Sequence, residues 1–363
     1  MIQKERIQMS HSDRTSRRSV LRGAGLATAG LAAPYVFTME RAFAADEIAA
    51  SNVGGAPGAA IKSAFTDPFE RETGIRVNLV SQEADPSQQF RMIVDTRSFI
   101  WDISMVTPSE LLTLTAPRMY CEPLNIAPVP GIVPGMLGPY WFGFSVFATV
   151  IAYRSDKFGE NGPQNWADFW DVAKFPGRRG LYRNFTGVIE AALMADGVAA
   201  KDLYPINLDR AFRKLEQIKP HINVWWTSGA QNTQILQSGE VDMCDTWAAR
   251  ATAAIQSGAP VRMAWNQGLY SADGWSILKG TPKADLARRF VAYCMKPERQ
   301  AAYSTQVANG PTNEEAFNFI PADRAAILPT SPHNIQGLVP SSPEWWAQNR
   351  RRVQQRFQDF LLG

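Results

Sequence analysis

The stretch Asp245-Thr246-Trp247-Ala248-Ala249-Arg250 places an indole and a guanidinium three positions apart, after the short apolar run VDMC (241–244) and where a helical pattern begins. An indole face receives cations and apolar groups. A guanidinium forks onto carboxylate, sulfonate or phosphate. The pair leaves open whether the expected partner is a cation or an anion. Groups for bond-breaking chemistry are scarce. The chain has three histidines, His11, His221 and His333, and no G-x-S-x-G, H-E-x-x-H or suggestively spaced Cys–His pair. No enzyme is expected, and an exported hydrolase stands as the enzymatic alternative. The three cysteines (Cys121, Cys244, Cys294) all lie in apolar surroundings. An odd count leaves at least one thiol unpaired; buried structural thiols are expected, with a Cys121–Cys294 bridge as the alternative.

The N-terminus is expected to lie outside the fold. Arg17-Arg18 followed by Ser19-Val20-Leu21 resembles a twin-arginine export signal, and the apolar run that follows, 24–37, is too short to span a bilayer. Ala42 and Ala44 supply small residues at −3 and −1, so 1–44 is read as a signal peptide cut after Ala44, with an uncleaved anchor as the alternative. Such signals are receptor-read addresses and imply export to the periplasm. The segment holds seven of the chain's 37 basic residues and three of its 34 acidic ones, so the remaining 319 residues carry a net charge of −1. Nothing in that balance asks for nucleic acid or an anionic membrane. Arg350-Arg351-Arg352 reads as a solvated helix face.

The elements that must position these residues alternate between strand and helix. Apolar residues at helical spacing predict a helix over 59–71, stopped at Gly74 as its C′ residue. IRVNLV (75–80) and WDISMV (101–106) read as strands flanking a helix over 86–94. That β–α–β order marks a parallel sheet with helices on its faces. The Pro- and Gly-rich stretch 120–140 reads as loop. FGFSVFATVIAYR (142–154) is an aromatic, β-branched run long enough to cross between two lobes. Further helices are predicted at 165–173, 186–195, 208–220, 283–295, 297–307 and 344–361, with another starting near Trp247. Strands are predicted at 179–183, 223–226, 241–244, 260–265 and 275–280. A chain of this length exceeds one typical core, so two lobes are expected.

Five segments, taken in order, resemble the bacterial extracellular solute-binding proteins of the spermidine/putrescine type: PFERETGIRVNLV (68–80), WDISMVTPSEL (101–111), QNWADFWDVAKFPGRRGLY (164–182), LQSGEVDMCDTWAARATAAIQSGAPV (236–261) and FVAYCMKPERQAAYSTQVANGPTNEEA (290–316). The resemblance implies a type II periplasmic-binding fold. It has two α/β lobes, each a mixed sheet flanked by helices, discontinuous in sequence and joined by crossing strands, with the ligand in the cleft between them. The boundaries read from the elements are 45–147 plus 266–320 for one lobe and 148–265 plus 321–363 for the other. The resemblance also implies a monomer that binds a small molecule without cofactor or metal and delivers it to an ABC permease in the inner membrane. A ferric-ion binder of the same fold is the alternative, although the adjacent tyrosines typical of that branch do not occur in the C-terminal third.

Ligands of open α/β sheets bind beyond the carboxyl ends of strands. The family's aromatic on the helix after the VDMC-like strand matches Trp247. Its acid near the second crossing matches Asp273, for which a turn aspartate before Gly274 is the alternative. Elsewhere the sequence departs from the polyamine pattern. Gly54 and Gly55 replace aromatics and offer bare backbone N–H groups; Thr107 and Ser109 offer hydroxyls at a helix start. Arg183 and Asn184 stand where the family shows acids, and Arg250 adds a second guanidinium. Trp226 and Tyr270 are further candidates for the cleft wall. Together these residues suit an amino-acid-like or other zwitterionic solute, with anion groups on Arg183 and Arg250 and an ammonium at Asp273 and Trp247.

Overall fold

The computed structural model describes residues 46–363 apart from Ala84 and Pro128. The expected export signal, with Arg17-Arg18 and the cut after Ala44, lies outside the described residues. Eleven strands are described: β1 (Glu47–Asn52), β2 (Arg76–Ser81), β3 (Ile103–Val106), β4 (Cys121–Glu122), β5 (Phe142–Arg154), β6 (Arg179–Tyr182), β7 (Ile222–Trp226), β8 (Met243–Trp247), β9 (Val261–Leu278), β10 (Gly310–Pro311) and β11 (Leu338–Pro340). Their main order is β2-β1-β3-β9-β5-β8-β6-β7. β1, β2 and β3 run parallel, as do β6, β7 and β8. The long strands β5 and β9 pair antiparallel between these two sets.

Helix ends follow side-chain chemistry. Asn165, Asn207, Ser228 and Ser342 each accept a hydrogen bond from a first-turn N–H, satisfying a donor that has no intrahelical partner. Gly74 closes helix Asp67–Thr73 with φ 74°, the left-handed conformation expected of it. The single helix predicted over 59–71 is three consecutive pieces, Gly55–Ile61, a π-turn Lys62–Thr66, and Asp67–Thr73. Pro68 lacks an N–H and crowds the carbonyl four residues back, so the regular ladder widens ahead of it.

Two apolar cores flank the middle of β5 and β9. Ile48, Phe65, Phe69, Ile103, Phe144, Trp275 and Phe290 belong to one; Ile151, Trp166, Phe169, Ile189, Met243, Trp346 and Phe357 belong to the other. Between them the β5–β9 register slips, from Thr149 opposite Leu269 to Ile151 opposite Ala264. The extra β9 residues include Gln267, at φ 63°. Its carbonyl accepts the Trp166 indole N–H at 2.9 Å and its side-chain oxygen accepts the Trp166 backbone N–H at 3.2 Å. The segments 260–265 and 275–280 are therefore ends of one strand, because pairing with β5 carries the chain through the polar stretch between them.

Among the described residues no helix is long and apolar enough to cross a membrane. All three cysteines are buried and free, so Cys121 and Cys294 are not bridged.

Candidate functional site

Register fixes where the strand ends go. β3 climbs β9 from Ile277 to Gly274, and β8 descends β5 from Tyr153 to Thr149. The carboxyl ends of the two parallel sets therefore point toward each other. Residues 145–148 of β5, paired with 270–273 of β9, span the distance between them.

Asp273 sits on that span, opposite Ser145. It is a mid-strand residue rather than a turn aspartate. Its carboxylate has no hydrogen-bond or ion-pair partner among the described residues, and burial alone pushes it up to about 7. Helix Pro297–Gln306 brings Tyr303 beside it, with the ring held by Phe65 (5.6 Å between centroids) and Phe144 (5.5 Å). Burial raises the Tyr303 phenol and the Asp273 charge adds to the rise; the Ser145 and Asn309 side chains and the Arg250 guanidinium oppose it. β10 pairs with β5 at Ser145 and Val146, which sets the Asn309 amide 3.1 Å from the Ser145 hydroxyl.

Arg250 approaches the same phenol from the helix that follows β8. Its guanidinium lies against Gly229, where a Cβ would stand 2.5 Å from Nε. No carboxylate or carbonyl pairs with it among the described residues, and burial pushes its pKa down. Asp273 and Arg250 are thus two unpaired charges of opposite sign acting on one buried hydroxyl.

Trp247 ends β8 and is the N-cap residue of helix Ala248–Gln256. Half-buried, it meets Tyr182 (5.5 Å) and Trp226 (5.3 Å) edge to face. Trp226 is fully buried beneath, stacked on Tyr182 at 4.1 Å, and donates its indole N–H to Asp245 at 2.7 Å. Its place is support for Trp247 rather than open wall. Burial pushes the Asp245 carboxyl up to about 7.

The remaining predicted residues divide. Tyr270 is half-buried on the β9 span, opposite Ala148. Arg183 is exposed after β6, its backbone N–H bonded to the Trp226 carbonyl at 2.8 Å. Asn184 holds its own turn by accepting from the Thr186 N–H at 3.1 Å and its hydroxyl at 3.3 Å. The Gly54 N–H, expected to be open, donates to the Asn52 side chain at 2.8 Å. Gly55 faces open space at φ 59°. Thr107 gives its N–H to Glu110 at 2.7 Å, forming the capping box of helix Pro108–Thr115, and shares its hydroxyl with Ser109 at 3.2 Å. Sequence reasoning missed Ser145, Tyr303, Asn309 and Tyr182. Tyr182, Tyr303 and Asn309 lie inside the family-like segments 164–182 and 290–316, which did not mark them out one by one; Ser145 carries no local signal, because distant pairing brings it to the site. Among the described residues no group of three His, Cys, Asp or Glu side chains gathers to hold a metal ion.

The model of the bacterial extracellular solute-binding protein family matches residues 64–330, and the chain belongs to that family. It has the type II periplasmic-binding fold of ABC-transport substrate-binding proteins, a family of small-solute binders rather than enzymes. It is 35% identical over 311 residues to the gamma-aminobutyric acid-binding protein of Pseudomonas aeruginosa, covering 84% of this chain and 88% of that one. A crystal structure of an ABC transporter substrate-binding protein from Bradyrhizobium japonicum is similar at TM-score 0.81 and 37% identity, covering 87% of this chain and 99% of the other. The structure of the Atu4243-GABA receptor is similar at TM-score 0.79 and 33% identity, with 87% and 97% covered.

Proposed function

We propose that this chain is the periplasmic receptor of an ABC importer for a short zwitterion, an ω-amino acid of the γ-aminobutyrate kind. The carrying observation is the pair of unmatched charges, Asp273 and Arg250, at one buried hydroxyl. Both residues are half-buried, and a charge withdrawn from water without a partner is costly, so each is compensated when a ligand brings the opposite sign. The ammonium goes to Asp273 and the carboxylate to Arg250, with Arg183 as a second guanidinium at the rim. The Trp247 face covers the short apolar stem between the two charged ends. The names of the relatives at 33–35% identity support the same solute. A diamine such as putrescine has nothing to offer Arg250.

The two cores support lobes of 45–147 plus 266–320 and 148–265 plus 321–363. The protein is read as a monomer, exported through the Arg17-Arg18 signal, that hands its solute to an inner-membrane permease. The test is a melting-temperature panel of γ-aminobutyrate, putrescine, spermidine, butyrate and butylamine on purified protein. γ-Aminobutyrate should give the largest rise. A larger rise with putrescine or spermidine, or equal rises with the two singly charged compounds, overturns the reading.

A further inference from the structure

The C-terminal helix Pro343–Leu362 buries Trp346, Val353, Phe357 and Phe360 in the core that holds β6 and β8. It also lies against helix Pro108–Thr115, which leaves the end of β3 in the other strand set. Arg350 is where the two sides join. Its Nε is 3.1 Å from Asp85 Oδ2, on the loop after β2. Asp85 is itself fixed, because its other oxygen accepts the Ser87 N–H at 3.0 Å at the start of helix Ser87–Thr96. The Arg350 guanidinium also lies over the Phe185 ring, 5.4 Å from its centroid, on the loop after β6. One side chain thus touches loops from both strand sets at their carboxyl ends. The side chains are only 27% and 37% exposed, so this arginine is not a member of a solvated face.

We propose that Arg350 is the positioning residue that fastens the cleft shut, through an ion pair with Asp85 that forms on closure and breaks on opening. The inference rests on the two-lobe reading above, with Asp85 in one lobe and Arg350 and Phe185 in the other. An ion pair of this exposure is worth little as a brace for a rigid body. Placed across a hinge, the same small energy changes the ratio of closed to open molecules directly. The loss expected is about two- to five-fold in that ratio.

The test uses Arg350→Ala, Asp85→Asn, which keeps the cap acceptor, and the double variant. Two readouts are taken: the scattering radius of the ligand-free protein, and the release rate of γ-aminobutyrate by stopped-flow tryptophan fluorescence. Each single variant should enlarge the ligand-free radius and speed release about two- to five-fold. The double variant should add nothing beyond one single. Single variants that match wild type in ligand-free scattering, or effects that simply add, overturn the clasp. If wild type gives no signal with γ-aminobutyrate, the ligand assignment fails, and ligand-free scattering still decides the clasp.

Discussion

Asp273 makes opposite demands on pH in folding and in ligand binding. Burial holds the Asp273 carboxyl near 7 in the folded protein, far above an unfolded aspartate at about 3.9. Between those values the folded state binds more protons than the unfolded one, so this group's contribution to stability is lost as pH rises from about 4 through 7. Asp273→Asn removes the penalty. In melts without ligand, the variant should gain on wild type from pH 4.5 to 8, and a constant difference across that range would show the carboxyl is not strained. Ligand binding runs the other way, because the ammonium needs the ionised form. γ-Aminobutyrate affinity should fall by up to about ten-fold per pH unit below 7, with proton release visible in calorimetry. Asp273→Asn should weaken binding at least ten-fold and flatten that pH dependence. At this scale the sequence was partly legible. Trp247, Arg250 and Asp273 stood out because each follows or interrupts a recognisable run. Ser145 and Tyr303 did not, because an apolar strand and an ordinary helix give no hint that their residues meet 158 positions apart.

The elements show the same division. β5 matches the expected 142–154 from end to end, because a strand covered on both faces is a long, mostly apolar run. β9 was legible only at its ends. Its middle, NQGLYSADG (266–274), has the composition of a turn, yet from Leu269 onward it stays extended because β5 supplies its hydrogen bonds, while Asn266 to Gly268 fall in the register slip. It is polar because it spans the distance between the strand ends. Gly274 shows how tightly this stretch is packed. A Cβ there would stand 2.5 Å from the Phe142 carbonyl oxygen and run into the Trp141 indole, whose N–H bonds the Val106 carbonyl at 2.9 Å. Backbone and a pinned ring cannot move aside. Gly274→Ala should therefore cost about 1–3 kcal/mol in chemical unfolding and weaken ligand binding through its neighbour Asp273. A variant as stable as wild type would show that the ring yields.

For the whole molecule, the proposed closure of two lobes on a solute draws its support from the two cores, the slipped register between them and the strand ends that point toward each other. Saturating γ-aminobutyrate should reduce the scattering radius, since a solute touching Asp273 and Arg250 stabilises the closed state. An unchanged radius would count against closure. The thiols lead somewhere else. Cys121, Cys244 and Cys294 are all buried, and burial pushes Cys121 up to about 12 and the other two well above their ordinary value. Conjugation chemistry needs an accessible thiolate, so the native chain is silent to maleimide dyes. One cysteine placed on the rim, at exposed Val53 for instance, would be a single attachment point, and the labelled protein would become an optical sensor that reports its solute without any other thiol being removed.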